Sequence, residues 1–160
     1  MDETPTQLEP PRFEDRRPFL LAGLTERYNT AKIEGIPVQW QRFAPHIGKV
    51  PGQVGWTCYG VCFNFDGADN MDYMCAVEVS VASALPAELT ELQVAEQKYA
   101  VFAHRGHISK IGGTWDAIFK QWLPTSGYRM VKVPQFEIYG EEFNSRTGTG
   151  LVEIWIPVER

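Results

Sequence analysis

A strand–helix–strand–strand pattern runs through this chain twice, and a doubled pattern restricts the folds open to it more than any composition figure does. Tyr59-Gly60-x-x-Phe63-Asn64 returns as Tyr139-Gly140-x-x-Phe143-Asn144, Val77-Glu78-Val79 returns as Val152-Glu153-Ile154, and Trp40 returns as Trp115, at offsets of 75 to 80. In the first pass "FLLAGLTERYN" is an apolar strand. Ile36, Trp40, Phe43 and Ile47 then recur at i, i+4, i+7 and i+11, one stripe of a helix. Pro37 suits its first turn and Pro45 shortens its end. "GWTCYGVCFNF" and "DYMCAVEVSVA" follow as two strands across the turn "DGADNM". In the second pass "QKYAVFAHRGH" is the strand, and Ser109 is the expected N-cap of a helix with Ile111, Trp115, Ile118, Phe119 and Trp122 at helical spacing. "PQFEIYGEEF" and "TGLVEIWIPVE" complete it across "SRTGTG".

The expectation is an α+β fold: a duplicated β-α-β-β unit with pseudo-twofold symmetry, its antiparallel sheets each carrying a helix on one face. Residues 1–18, with four prolines and many charges, are expected to be a flexible tail. Residues 19–160 form one domain with repeats at about 19–85 and 97–160, large enough for a single core.

One helix cannot cover both faces of its sheet, so the seam between the halves is the natural place for a ligand cleft. Along "LVEIWIPV" the side chains alternate. Val152, Ile154 and Ile156 take the helix side, leaving Leu151, Glu153, Trp155 and Pro157 on the other. A carboxylate beside an indole suits a flat organic cation. Glu78 takes the matching place in the first half, with Val77, Val79 and Val81 toward the helix. Tyr59 and Tyr139 join Glu153 on that face if the helices take Cys58 and Ile138; a slip of one residue would turn them inward. The same acids also suit the plain polar side of half-exposed strands.

Several classes are disfavoured. A net charge of −5 provides no footprint for phosphate backbones. No apolar run approaches a membrane span, and the acidic, proline-broken start is no secretory signal. Cys58, Cys62 and Cys75 are an odd set inside strands, expected as free thiols in a reducing cytoplasm. His104 and His107 lack metal-ligand spacing, so no metal site is expected, and there is no phosphate-loop, dinucleotide or nucleophile-elbow motif. No cofactor is expected.

"KYAVFAHRGHISKIGGTWDAIFKQWLPTSGY", "PQFEIYGEEF" and "VEIWIPV" resemble the GyrI-like small-molecule-binding domains. These include the effector-binding domains of AraC- and MerR-type multidrug-responsive regulators, and stand-alone members such as integron cassette proteins. "YMCAVEV" resembles the first-half motif, with Ala76 where glycine is expected. The resemblance covers about residues 18–160. It implies a duplicated β-α-β-β fold with a pocket along the seam, and a last-strand glutamate, here Glu153, facing cationic, aromatic or amphipathic ligands. Trp155, Tyr139, Tyr59, Glu78, Tyr73, Trp40 and Trp115 complete the expected ligand-binding set.

The function expected is a stand-alone protein that senses or sequesters a hydrophobic, cationic small molecule, with no direct nucleic-acid or membrane contact and an unknown protein partner left open. The resemblance also implies two alternatives. One is a hydrolase of reactive cyclopropane-bearing natural products using Glu153 with Tyr139, Tyr59 or Tyr73. The other is a gyrase-inhibitor-like interaction module.

Overall fold

The computed structural model describes residues 8–81 and 84–160. Strands β1 (Arg12–Arg16) and β2 (Phe19–Asn29) precede helix α1 (Ile36–Phe43), which is followed by β3 (Gln53–Phe63), β4 (Asn70–Val79) and β5 (Thr90–Val94). Then come β6 (Gln97–Arg105), α2 (Ile111–Ala117), β7 (Arg129–Met130), β8 (Gln135–Asn144) and β9 (Thr149–Glu159). The strands join in one antiparallel sheet ordered β1-β6-β9-β8-β3-β4-β2-β5, with β7 paired to β9.

Connectivity forces this sheet to curl. β1 and β2 stand six places apart, about 29 Å in a flat sheet at about 4.8 Å per strand. Only Arg17 and Pro18 join them, a reach of about 11 Å. Ala95 and Glu96 join β5 to β6 under the same constraint. The sheet therefore closes toward a barrel with an inner face and an outer, helix-bearing face.

Residues alternate strictly between the two. Leu21, Tyr59, Val61, Met74, Ala76, Tyr99, Val101, Phe136 and Trp155 pack inside, with Phe19 and Ile138 against them. Outside, α1 covers Ala22, Leu24, Met71, Tyr73, Cys75, Val77 and Val79, while α2 and its continuation cover Ala100, Phe102, Ile154 and Ile156.

Each helix is pinned by one buried polar side chain. Gln39 Nε2 donates to the carbonyls of Leu24 and Tyr73 at 2.8 and 2.9 Å, and its Oε1 accepts from Tyr28 at 2.8 Å. On α2, Thr114 Oγ1 lies 2.7 Å from His104 Nδ1, while His104 Nε2 lies 3.0 Å from the His107 carbonyl. That carbonyl needs a donor, so Nε2 carries the proton and Thr114 donates to Nδ1. His104 is thus a structural pin between β6 and α2.

Some local expectations change. The stripe Ile36–Ile47 is helical only to Phe43, and Pro45 sits in a 3₁₀ turn, Ala44–His46. Ser109 is not the N-cap. Lys110 stands at the N-cap of α2 without a side-chain bond, and His107 caps the 3₁₀ turn that leads into it, accepting from the Ser109 amide at 3.1 Å. α2 widens into a π turn, Ile118–Trp122, which keeps Ile118, Phe119 and Trp122 against the sheet. Of the expected tail, residues 1–7 lie outside the described residues. Arg12–Arg16 is not a tail: it is an edge strand in register with Val101–Gln97.

Candidate functional site

α1 packs over β2 and β4, and α2 over β6 and β9, so the face of the central pair β3–β8 between the helices is the candidate groove. Its floor is set by strand register. Cys58 pairs with Tyr139 and Gly60 with Glu137, and paired residues share a face. Phe136 and Ile138 point inside, so Glu137 and Tyr139 rise into the groove.

Glu137 is buried, with 8% of its surface exposed, and no lysine or arginine among the described residues pairs with it. Its Oε2 accepts from Trp115 Nε1 at 2.8 Å and its Oε1 from the Tyr139 hydroxyl at 2.6 Å. Across the groove, Trp40 Nε1 donates to the Tyr73 hydroxyl at 3.0 Å, and the Trp40 and Tyr139 rings meet edge-on at 5.5 Å. A Cβ on Gly60 would lie 2.3 Å from the Tyr73 hydroxyl and 3.2 Å from Glu137 Oε1. Glycine there is what lets the phenol and the acid share the floor. Trp40, Trp115 and Tyr139 are only half-buried, so the groove opens to solvent between the helices.

Burial pushes the Glu137 carboxyl above its ordinary value, against the opposing pull of its Tyr139 and Trp115 hydrogen bonds. Burial likewise raises the Tyr139 and Tyr73 phenols well above theirs, and the Glu137 charge adds to both. The arrangement is an acid held by two neutral donors inside an aromatic wall. Such an acid lacks the countercharge that a buried carboxylate ordinarily needs.

The expected site residues therefore divide. Trp40, Trp115, Tyr73 and Tyr139 come together on the outer face. Glu153, Trp155, Tyr59 and Glu78 come together on the inner one. Tyr59 and Tyr139, expected on one face, lie on opposite faces. Cys58, rather than Tyr59, pairs with Tyr139, so the Tyr-Gly match between the halves is out of step by one residue. The expectation that the helices take Ile138 fails with it. Glu137 was not among the expected residues, because in "FEIY" it looks like the polar side of a half-exposed strand.

Cys58, Cys62 and Cys75 are free thiols on the outer face. Burial raises Cys58 to about 11, which leaves it protonated and unreactive near neutrality. Among the described residues no group of three His, Cys, Asp or Glu side chains is placed to hold a metal ion. An open hollow of about 630 Å³, bordered by Asp15, Glu96, Lys98, Tyr128, Glu159 and Arg160, contains none of these candidates.

The sequence and the fold have counterparts among known proteins. The family model described as the GyrI-like small molecule binding domain matches residues 9–159. The chain belongs to that family. Among curated relatives, the transcriptional regulator BrlR of Pseudomonas aeruginosa is 28% identical over 149 residues, 92% of this chain and 54% of that protein. The chain thus spans about half the length of that relative. Among solved structures, SAV2435 bound to tetraphenylphosphonium has a TM-score of 0.77 at 23% identity, over 93% of each chain. The EcmrR C-terminal domain has a TM-score of 0.70 at 15% identity, over 97% of this chain and 99% of that one. Both likenesses establish the fold of a GyrI-like domain. Among the described residues no helix is long and apolar enough to cross a membrane.

Proposed function

We propose that this GyrI-like domain binds an organic cation with an aromatic or amphipathic body in the groove between α1 and α2, with Glu137 as the countercharge. The observation that carries the reading is the buried Glu137 carboxyl, held by Trp115 and Tyr139 and paired with no lysine or arginine among the described residues, the nearby His104 being the group of the protein's own that favours its charge. Trp40 and Trp115 supply π faces from the two helices, and Tyr73 and Tyr139 line the floor. A cation entering here gains a charge partner at a buried carboxyl and buries apolar surface at about 25 cal/mol per Å². The groove takes one wall from each β-α-β-β unit. Strand order on either side of β3–β8 (β8-β9-β6 and β3-β4-β2) supports treating the units as copies related by a pseudo-twofold axis through that pair.

Tetraphenylphosphonium and tetraphenylborate have the same shape and opposite charge, so titrating both tests the reading directly. The phosphonium is expected to bind and raise the melting temperature, and the borate to do neither. Glu137→Gln should weaken the phosphonium at least tenfold. Equal binding of the two ions, or an unchanged affinity in Glu137→Gln, would sink the proposal.

The 2.6 Å contact between Tyr139 and Glu137 also supports a second reading, in which the pair acts as acid and base on a bound electrophile. This moves the expected hydrolase pair from Glu153 to Glu137. Turnover of a cyclopropane-bearing electrophile that disappears in Glu137→Gln, with binding of the electrophile retained, would favour it. Binding without turnover would remove it.

A further inference from the structure

On the inner face the chain's own arginines stand where a ligand cation would. Arg16 of β1 lays its guanidinium 3.7 Å above the Phe19 ring, with the Tyr59 and Trp155 rings at 5.4 and 5.6 Å. The same group donates in its plane to the Tyr59 hydroxyl at 2.9 Å and to Glu78 Oε1 at 3.1 Å. Four residues earlier, Arg12 donates to Glu153 Oε2 at 2.7 Å, while Trp155 Nε1 donates to Glu153 Oε1 at 3.2 Å. Beneath these groups lies Tyr99. It is fully buried, 5.4 Å from Trp155 and 5.1 Å from Phe136, and its hydroxyl has no hydrogen-bond partner among the described residues. Burial pushes that phenol up to about 12, and Arg16 is the charge that opposes the rise.

An aromatic floor, two rim carboxylates and an unmatched buried hydroxyl make a complete recognition set. Its present occupant is lightly held. β1 has five residues, pairs on one side only, and is joined to β2 through Arg17 and Pro18. Its arginine–carboxylate pairs are part-exposed, where such pairs contribute little. Edge segments of this kind open locally at low cost. A flat cation that stacks on one ring while donating sideways to an acid and a phenol is a guanidinium or amidinium; a compact ammonium cannot do both.

We infer that the inner face is a second recognition site, selective for a planar guanidinium or amidinium group on an apolar body, with Arg16 as its built-in occupant and β1 as the strap that must lift to admit a ligand. It is separate from the Glu137 groove, which lies on the opposite face of the same strands, and stands or falls independently of the proposed function.

Benzamidine is the probe. Its affinity for the full chain is measured calorimetrically in the wild type, Arg16→Ala, Arg16→Ala with Glu78→Gln, and Arg16→Ala with Glu137→Gln. The expected result is at least tenfold tighter binding in Arg16→Ala, reversed by adding Glu78→Gln and retained when Glu137→Gln is added instead. Equal affinity in the wild type and Arg16→Ala, or no response to Glu78→Gln, overturns the inference. Should Arg16→Ala not fold, hydrogen exchange of the wild-type Arg12–Arg16 amides decides it. Saturating benzamidine should speed that exchange severalfold and tetramethylammonium should not; exchange unchanged by benzamidine overturns the inference as well.

Discussion

The two faces of one sheet treat their carboxylates in opposite ways. Inside the curl, Glu78 and Glu153 each hold an arginine of the same chain, at 3.1 and 2.7 Å. Outside, Glu137 is more deeply buried and holds only neutral donors. An acid that is buried and uncompensated is a cost to the fold, and proteins keep such costs where they serve binding or chemistry. The paired acids hold arginines of an edge strand. The unpaired one has only the neutral donors of Trp115 and Tyr139 beside it. The contrast also shows that the number of acids near a tryptophan says little until each acid's partner is known.

The contrast can be broken in four ways, from the largest effect to the smallest. Phe136 is fully buried inside, stacked at 5.6 Å on Trp155 and meeting Tyr99 at 5.1 Å. Phe136→Ala should cost about 3–5 kcal/mol in denaturant unfolding, yet leave phosphonium affinity of the folded fraction within about twofold. A large affinity loss would mean that the two faces are not separable.

Gly60→Val places a side chain against Tyr73 and Glu137, so the groove floor must shift. About 1–3 kcal/mol of destabilisation is expected from overpacking, together with loss of phosphonium binding measured by calorimetry.

Glu137 provides a pH test with a definite sign. Its folded-state carboxyl is raised above the ordinary 4.5, so the folded protein binds more protons than the unfolded chain. This group's contribution is therefore fully present below 4.5 and is lost as pH rises from there through the raised value. Melting curves across that window should show a downward slope that Glu137→Gln removes. Phosphonium affinity should rise over the same window as the carboxylate ionises. A Glu137→Gln protein less stable than wild type at neutral pH by more than about 1 kcal/mol would show that the charged form is part of what holds the fold.

Glu78→Gln should be the mildest change, at about 0–1 kcal/mol, because its pair with Arg16 is part-exposed and screened. Its effect should shrink further in high salt, read from the same unfolding curves. A larger loss would make β1 a structural strand rather than a strap.

Much of the architecture was legible in the residues. The helical stripes from Ile36 and Ile111, and the alternation that turned Val152, Ile154 and Ile156 away from Glu153 and Trp155, depend on neighbours a few positions apart. Trp40, Trp115, Tyr73 and Tyr139, expected as ligand-binding residues, come together on one face, and the acid among them was not expected. Glu137 sits between Phe136 and Ile138, and any amphipathic strand would show that pattern. A signal was present: Gly60 and the small Cys58 and Cys62 alternate along β3 on the face that Glu137 shares. A central strand that keeps one face free of bulk leaves room for something large opposite. The arm was misjudged for a different reason. Proline and charge content described its composition accurately, while Arg12 and Arg16 found their partners 141 and 62 residues away.

The sequence by itself determined the main strands and helices of residues 19–160, their order and which residues share a face within each strand, because periodicity is a property of the local chain. Only the tertiary structure decided which face would be the groove and which acid would be left without a cation. Those outcomes follow from the pairing of β3 with β8 and from two-residue links that bend the sheet until its distant edges meet. Contacts across such separations are chosen by closure of the whole sheet, and no local pattern of residues contains them.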